Sequence, residues 1–166
     1  MLLLFENAMF KQSCQLLAQK KLSIFFLESA SAGYLSYQFS LSPFSGDILI
    51  GSLVCYDLKV KEKVLKISPA MIKKYSAESI QVTKEMIRKG KKIFKSDIYI
   101  SCTGLLKPGG SETKEKPVGS FFYCIEYKNK TYTFKQLYKG TPEKKLEKLL
   151  NDICTNIVKI IKEKDK

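Results

Sequence analysis

Apolar runs at residues 22–27 and 48–55 each lead into a segment with helical character, and a third run at 97–102 follows another such segment. Strands so short and so apolar belong in a sheet covered by helices on both faces. Beyond a Gly/Pro-rich stretch, segments 118–127 and 131–138 flank Lys128-Asn129-Lys130 as the two arms of a hairpin. Strand–helix alternation followed by a hairpin predicts an α/β chain, a three-layer α/β/α sandwich on a mixed, mostly parallel sheet of about five strands. The 166 residues show no repeat and no linker-like break in composition, so 1–166 reads as a single domain.

The remaining elements fill in around those strands. Residues 7–20 form a first helix, and the small-residue turn 28–33 opens a second that runs to about residue 41. A Pro/Gly loop covers 42–47. Residues 57–65 make a lysine-rich helix, and a short one follows Pro69. Ser76, with Glu78 in the first turn, reads as the N-cap of a helix to about residue 94. Thr141-Pro142-Glu143 supplies cap, N1 proline and first-turn acid for a last helix to about residue 162. The segment 103–117, with three glycines and two prolines, is long for a loop in a compact domain, and such loops are commonly functional.

Composition removes several chemistries. Histidine is absent, which eliminates Ser-His and Cys-His pairs and histidine-ligated metals. The five cysteines (Cys14, Cys55, Cys102, Cys124, Cys154) form no CxxC motif, and the three inside strand-like apolar runs read as buried, inert thiols. No metal and no cofactor is called for. Residues 1–5 are apolar but lack the basic lead-in and cleavage site of a signal peptide, and no run is long enough to span a membrane. With an odd, scattered set of cysteines, the expected location is the cytoplasm. The net charge of +13 invites an anionic partner, yet every cation but Arg88 is lysine. Base-specific readers favour arginine's bidentate fork, so nucleic acid is not the favoured partner, and a lysine bias on solvated faces explains the charge.

If the first three strands are parallel, Ser29, Tyr56 and Thr103 stand at their carboxyl ends, the edge where open α/β sheets bind ligands. Ser29 follows a buried strand and could present its hydroxyl to a substrate; from position alone, capping the next helix is the commoner role. A serine here would need a base, and lysine is the available one, provided desolvation or neighbouring cations lower its pKa. Lys61, between Lys59 and Lys63, is the candidate, although a solvated helix face explains the spacing as well. Tyr56 would relay a proton or orient the serine, or simply end a strand. The 103–117 loop offers backbone N–H groups and three lysines to an anion without matching a Walker A loop.

These segments together resemble the CinA C-terminal domain family, the nicotinamide-nucleotide amidohydrolases (nicotinamide mononucleotide deamidases), in its stand-alone form. Leu22-Ser23-Ile24 leading into Glu28-Ser29-Ala30-Ser31-Ala32-Gly33 is similar to the family's strand followed by E-S-C-T-G-G. Gly51-Ser52-Leu53-Val54-Cys55-Tyr56 with Lys61 beyond it is similar to G-G-V-V-T-Y and its following lysine. Thr103-Gly104, Pro108-Gly109-Gly110 and Lys116-Pro117-Val118-Gly119 match T-G-I-A-G-P…G-G…K-P-V-G in order. The resemblance implies hydrolysis of the carboxamide of nicotinamide mononucleotide to nicotinate mononucleotide and ammonia, within pyridine nucleotide salvage. Ser29 would be the nucleophile, with Tyr56 and Lys61 activating it. Glu28, Ser31, Gly33, Thr103, Gly104, Gly109, Gly110 and Lys116 would bind the substrate. It also implies a nucleotide as the partner, no membrane, no metal, and a homo-oligomer, a dimer. Leu105-Leu106-Lys107 departs from I-A-G, and Gly140-Thr141-Pro142 from G-D-R. The lost arginine leaves Lys107, Lys139 and Lys144 as point charges. The alternative is an impaired member that binds a nucleotide or serves in competence or damage responses.

Overall fold

The computed structural model describes residues 7–164, so the apolar start at 1–5 lies outside the described residues. Strand β1 (Ile24–Glu28) is buried throughout and lies between β2 (Leu49–Val54) and β3 (Ile98–Gly104), parallel to both. β4 (Ser120–Tyr127) runs antiparallel to β3, and β5 (Lys130–Leu137) antiparallel to β4, giving the order β2-β1-β3-β4-β5. Four strands therefore point one way and only β4 opposes them, although two of the four ladders are antiparallel.

Strand parity divides the core. Ile24 and Phe26 of β1, Ile98 and Ile100 of β3, and Phe121 and Tyr123 of β4 pack beneath α1 (Ala8–Gln19), α2 (Tyr34–Ser40), α3 (Ser45–Ile48) and α7 (Pro142–Lys164). Phe25, Leu27, Tyr99 and Cys124 point the other way, beneath α4 (Leu58–Lys63), α5 (Pro69–Tyr75) and α6 (Ile80–Gly90). Period-two alternation delivers apolar residues to both faces, which is why β1 has no polar side until Glu28. At Gly90 a Cβ would sit 2.7 Å from a Leu27 methyl, so glycine lets α6 lie close on β1.

Local chemistry corrects some sequence-based boundaries. Ser76 does not cap α6; it ends α5 with φ 66°, ψ 157°. The cap is Ser79, whose hydroxyl accepts from the Val82 amide, and Glu78 is left in the link between the helices. The helix stops at Gly90 rather than near residue 94. The loop expected at 42–47 contains the single turn α3. At the hairpin, Lys128 (φ 50°) and Asn129 (φ 59°) form the whole turn, and Lys130 already pairs with Tyr127. β3 continues through Gly104, so the long loop spans 105–119. Its base is closed by Leu105 N–H to Ser120 O (2.9 Å) and Gly119 N–H to Leu105 O (2.7 Å).

Candidate active site

The carboxyl ends of β1, β2 and β3 meet at one edge of the sheet. Ser29 directly follows β1, anchored by its amide donating to Cys102 O of β3 at 3.1 Å. α4 begins beyond β2, capped by Asp57, and turns Lys61 inward on the same side as the buried Leu65, four residues on. Lys61 is 1% exposed, and its Nζ lies 2.9 Å from Ser29 Oγ, 2.6 Å from Cys55 O and 3.2 Å from Tyr56 O. Two carbonyls claim two N–H bonds of the amine. The third position, toward Ser29, is an N–H when the lysine is charged and a lone pair ready for the serine proton when it is neutral. Burial disfavours the charged form and holds the Lys61 pKa below its ordinary value, against the opposing pull of Cys55, Glu78, Cys102 and Asp57. Lys59 and Lys63 are exposed, so desolvation and not flanking cations lowers it. Thiols do not compete as nucleophiles here: burial pushes Cys55 up to about 12 and Cys102 up to about 11.

Ser29 opens onto a cleft of about 180 Å³ that Tyr56, Gly104, Gly109 and Gly110 also line. The structure thus brings five of the sequence candidates together with Lys61 beneath them. Tyr56 stands there differently from expectation. Its hydroxyl makes no hydrogen bond among the described residues and its side chain is exposed; what reaches the Ser29–Lys61 pair is its backbone carbonyl. The side chains of Glu28, Ser31 and Thr103 do not enter the cleft. Glu28 is fully buried and accepts hydrogen bonds from Ser31 Oγ, Ser52 Oγ and the amides of Gly33, Leu35 and Ser36. It caps α2 from the end of β1 and is an architectural carboxylate. Ser31 faces Glu28 and Cys102, and Gly33 supplies the turn at φ 95°. Thr103 shares a 2.8 Å hydrogen bond with Thr83 of α6. Lys116 ties the loop down, donating to Ser76 Oγ at 2.7 Å and pairing with Glu78 at 3.7 Å.

Sequence reasoning passed over Ala30 and Glu78 as lining residues, whereas Leu105–Lys107, singled out as a departure beside the ligand, do line the cleft. Strand parity carried a usable signal for the misplaced ones: Glu28 shares a face with Ile24 and Phe26, and Thr103 shares one with Tyr99 and Ser101. Of the lysines offered in place of the missing arginine, Lys107 lines the cleft. Lys145, not Lys139 or Lys144, reaches the loop from α7, donating to Leu106 O at 2.8 Å. A larger hollow of about 610 Å³ beside α6 is lined by Lys84, Arg88 and Glu126 among others and holds no serine–base pair.

Fold and site together define a class, an α/β sandwich with a buried serine–lysine pair at the carboxyl edge of its parallel strands. Within it, the chain belongs to the CinA C-terminal domain family, whose family model matches residues 6–160. It is 34% identical over 159 residues to a CinA-like protein of Fusobacterium nucleatum, covering 96% of this chain and 38% of that one. A CinA-like protein of Pseudothermotoga lettingae is 35% identical over 112 residues, 67% of this chain and 27% of the relative. The chain thus spans well under half the length of these relatives. Among solved structures, a competence or damage-inducible protein from Enterobacter asburiae superposes with a TM-score of 0.85 at 21% identity, covering 93% of this chain and 96% of that one. A CinA superfamily protein from Escherichia coli gives 0.85 at 22%, covering 93% and 89%. These two likenesses are of fold. Among the described residues no helix is long and apolar enough to cross a membrane.

Proposed function

We propose that this chain is an amidohydrolase that converts nicotinamide mononucleotide to nicotinate mononucleotide and ammonia. The observation that carries the reading is the buried Lys61 amine 2.9 Å from the Ser29 hydroxyl. Neutral Lys61 takes the Ser29 proton as Oγ bonds to the carboxamide carbon, and the carbonyl π electrons move onto oxygen. Ala30, next in the chain and lining the same cleft, has a backbone N–H without a hydrogen-bond partner among the described residues, and in this reading that N–H receives the oxyanion. The Lys61 ammonium returns its proton to the departing nitrogen, the C–N bond breaks, and ammonia leaves an acyl-serine ester. Water, deprotonated by the same amine, attacks the ester; the C–Oγ bond breaks, Ser29 regains its proton and nicotinate mononucleotide leaves.

The second reading, a member that binds a nucleotide without turning it over, draws on Leu106 and Lys107, which line the cleft where the family pattern carries alanine and glycine. One assay separates the two. Ammonia release from purified protein with nicotinamide mononucleotide is expected, and Ser29→Ala is expected to abolish it while leaving the circular dichroism spectrum unchanged. Retained turnover in the variant removes Ser29 as nucleophile. No turnover from the folded wild type favours the binding-only reading.

A further inference from the structure

Gly109 and Gly110 line the same cleft as Ser29, and their adjacent amides converge on a single anion, the carboxylate of Glu112. Gly109 N–H donates to Glu112 Oε1 at 2.9 Å and Gly110 N–H to Oε2 at 2.8 Å, one amide to each oxygen. Gly109 holds φ 94°, a left-handed conformation that glycine adopts freely and that sets its amide beside the next one; a Cβ at Gly110 would meet a Leu105 methyl at 3.0 Å. The carboxylate itself is on an exposed residue and makes no other side-chain hydrogen bond or ion pair among the described residues. The amides hold the Glu112 carboxyl below its ordinary pKa, Gly109 most of all, so it is an anion near neutral pH. Lys107 lines the cleft beside them and is exposed.

We propose that the Gly109–Gly110 amide pair is the subsite for the phosphate monoester of the substrate, and that Glu112 occupies it as an internal competitor until that phosphate displaces it. Two oxygens of a phosphate are spaced much as the two of a carboxylate, so amides aimed at one accept the other, and the phosphate carries the greater charge. Lys107 then meets the incoming anion as a point charge, in place of the arginine the family places after the last strand. The occupied subsite lowers apparent affinity by the fraction of molecules in which Glu112 is seated. This inference rests on the amidohydrolase reading for the identity of the substrate, but not for the binding itself.

The test is an NMR titration of the amide resonances with inorganic phosphate, at constant ionic strength, in wild type, Glu112→Gln and Glu112→Ala. The Gly109 and Gly110 resonances should move saturably, with the midpoint about fivefold lower in both variants because the competing charge is gone. Resonances that stay still, or midpoints equal in all three proteins, overturn the subsite. The titration needs no turnover, so the two claims separate. A saturable response with no ammonia release strikes only the amidohydrolase reading, and ammonia release without the response strikes only the subsite.

Discussion

Lys61 is the residue whose charge state governs the proposed chemistry. Buried, it loses proton affinity, and its pKa in the folded chain lies below the ordinary 10.5. A lysine acts as a base only when neutral, so kcat/KM should rise with pH through that lowered value and level off above it. Stability moves in the same direction. Between the folded and unfolded pKa values the unfolded chain binds the extra proton, so the Lys61 contribution grows as pH climbs toward 10.5 and is lost as pH falls through the folded value. The measurement is kcat/KM against pH, with an ascending limb centred below 10.5 expected for wild type. Lys61→Arg should be inactive at every pH, because a guanidinium does not deprotonate. A flat profile, or an active arginine variant, would remove Lys61 as the base.

At the scale of elements, the loop 105–119 covers the site through two kinds of tie. One is its base, where Gly119, at φ 96°, donates to Leu105 O and accepts from the Tyr138 amide at 2.8 Å. A Cβ on Gly119 would collide with the backbone carbonyl of Tyr138, so alanine combines a forbidden contact with a left-handed backbone. Urea unfolding of Gly119→Ala should show a loss of about 2–4 kcal/mol. The other tie is Lys116, a partly exposed lysine holding the Ser76–Glu78 link, and Lys116→Met should cost about 1 kcal/mol or less. Comparable losses in the two variants would mean that the base of the loop is not its anchor. The contrast between elements and side-chain directions also marks what was legible in the sequence. Strand ends placed Ser29, Tyr56 and the Gly-rich loop on one edge, because parallel strands separated by crossovers must end together. Directions of individual side chains were harder: Ser76 and Ser79 both look like caps, and only the φ of 66° at Ser76 shows which ends α5. Glu28 carries the motif's acid but spends it on α2, a role that depends on amides from three residues of the following turn and helix. Lys61 was distinguishable from Lys59 and Lys63 by its place after the Gly51–Tyr56 motif, and its spacing of four from Leu65 carried a second signal that it turns inward.

Across the whole molecule, 29 basic residues face 16 acidic ones, so a net 13 positive charges have no acid to balance them. The ion pairs among the described residues draw on few of the acids, Glu78, Glu85 and Glu126, and the Glu85 pairs lie within one helix. Most lysines therefore lie on the surface of a compact body whose charges repel one another, and unfolding lets them separate. The consequence is long-range repulsion that opposes a core apolar on both sheet faces. Salt screens such repulsion over about 10 Å at 0.1 M, a distance shorter than the molecule but longer than a contact ion pair. Raising sodium chloride from low to moderate concentration should thus raise the thermal midpoint by a few degrees, since the few local pairs lose less than the global repulsion does. Replacing two exposed lysines that do not line the cleft, Lys73 and Lys159, with glutamate should raise the midpoint at low salt and reduce its salt dependence. A midpoint that falls with added salt would show instead that the local pairs outweigh the net charge, and that the lysines are placed in networks rather than spread over solvated faces.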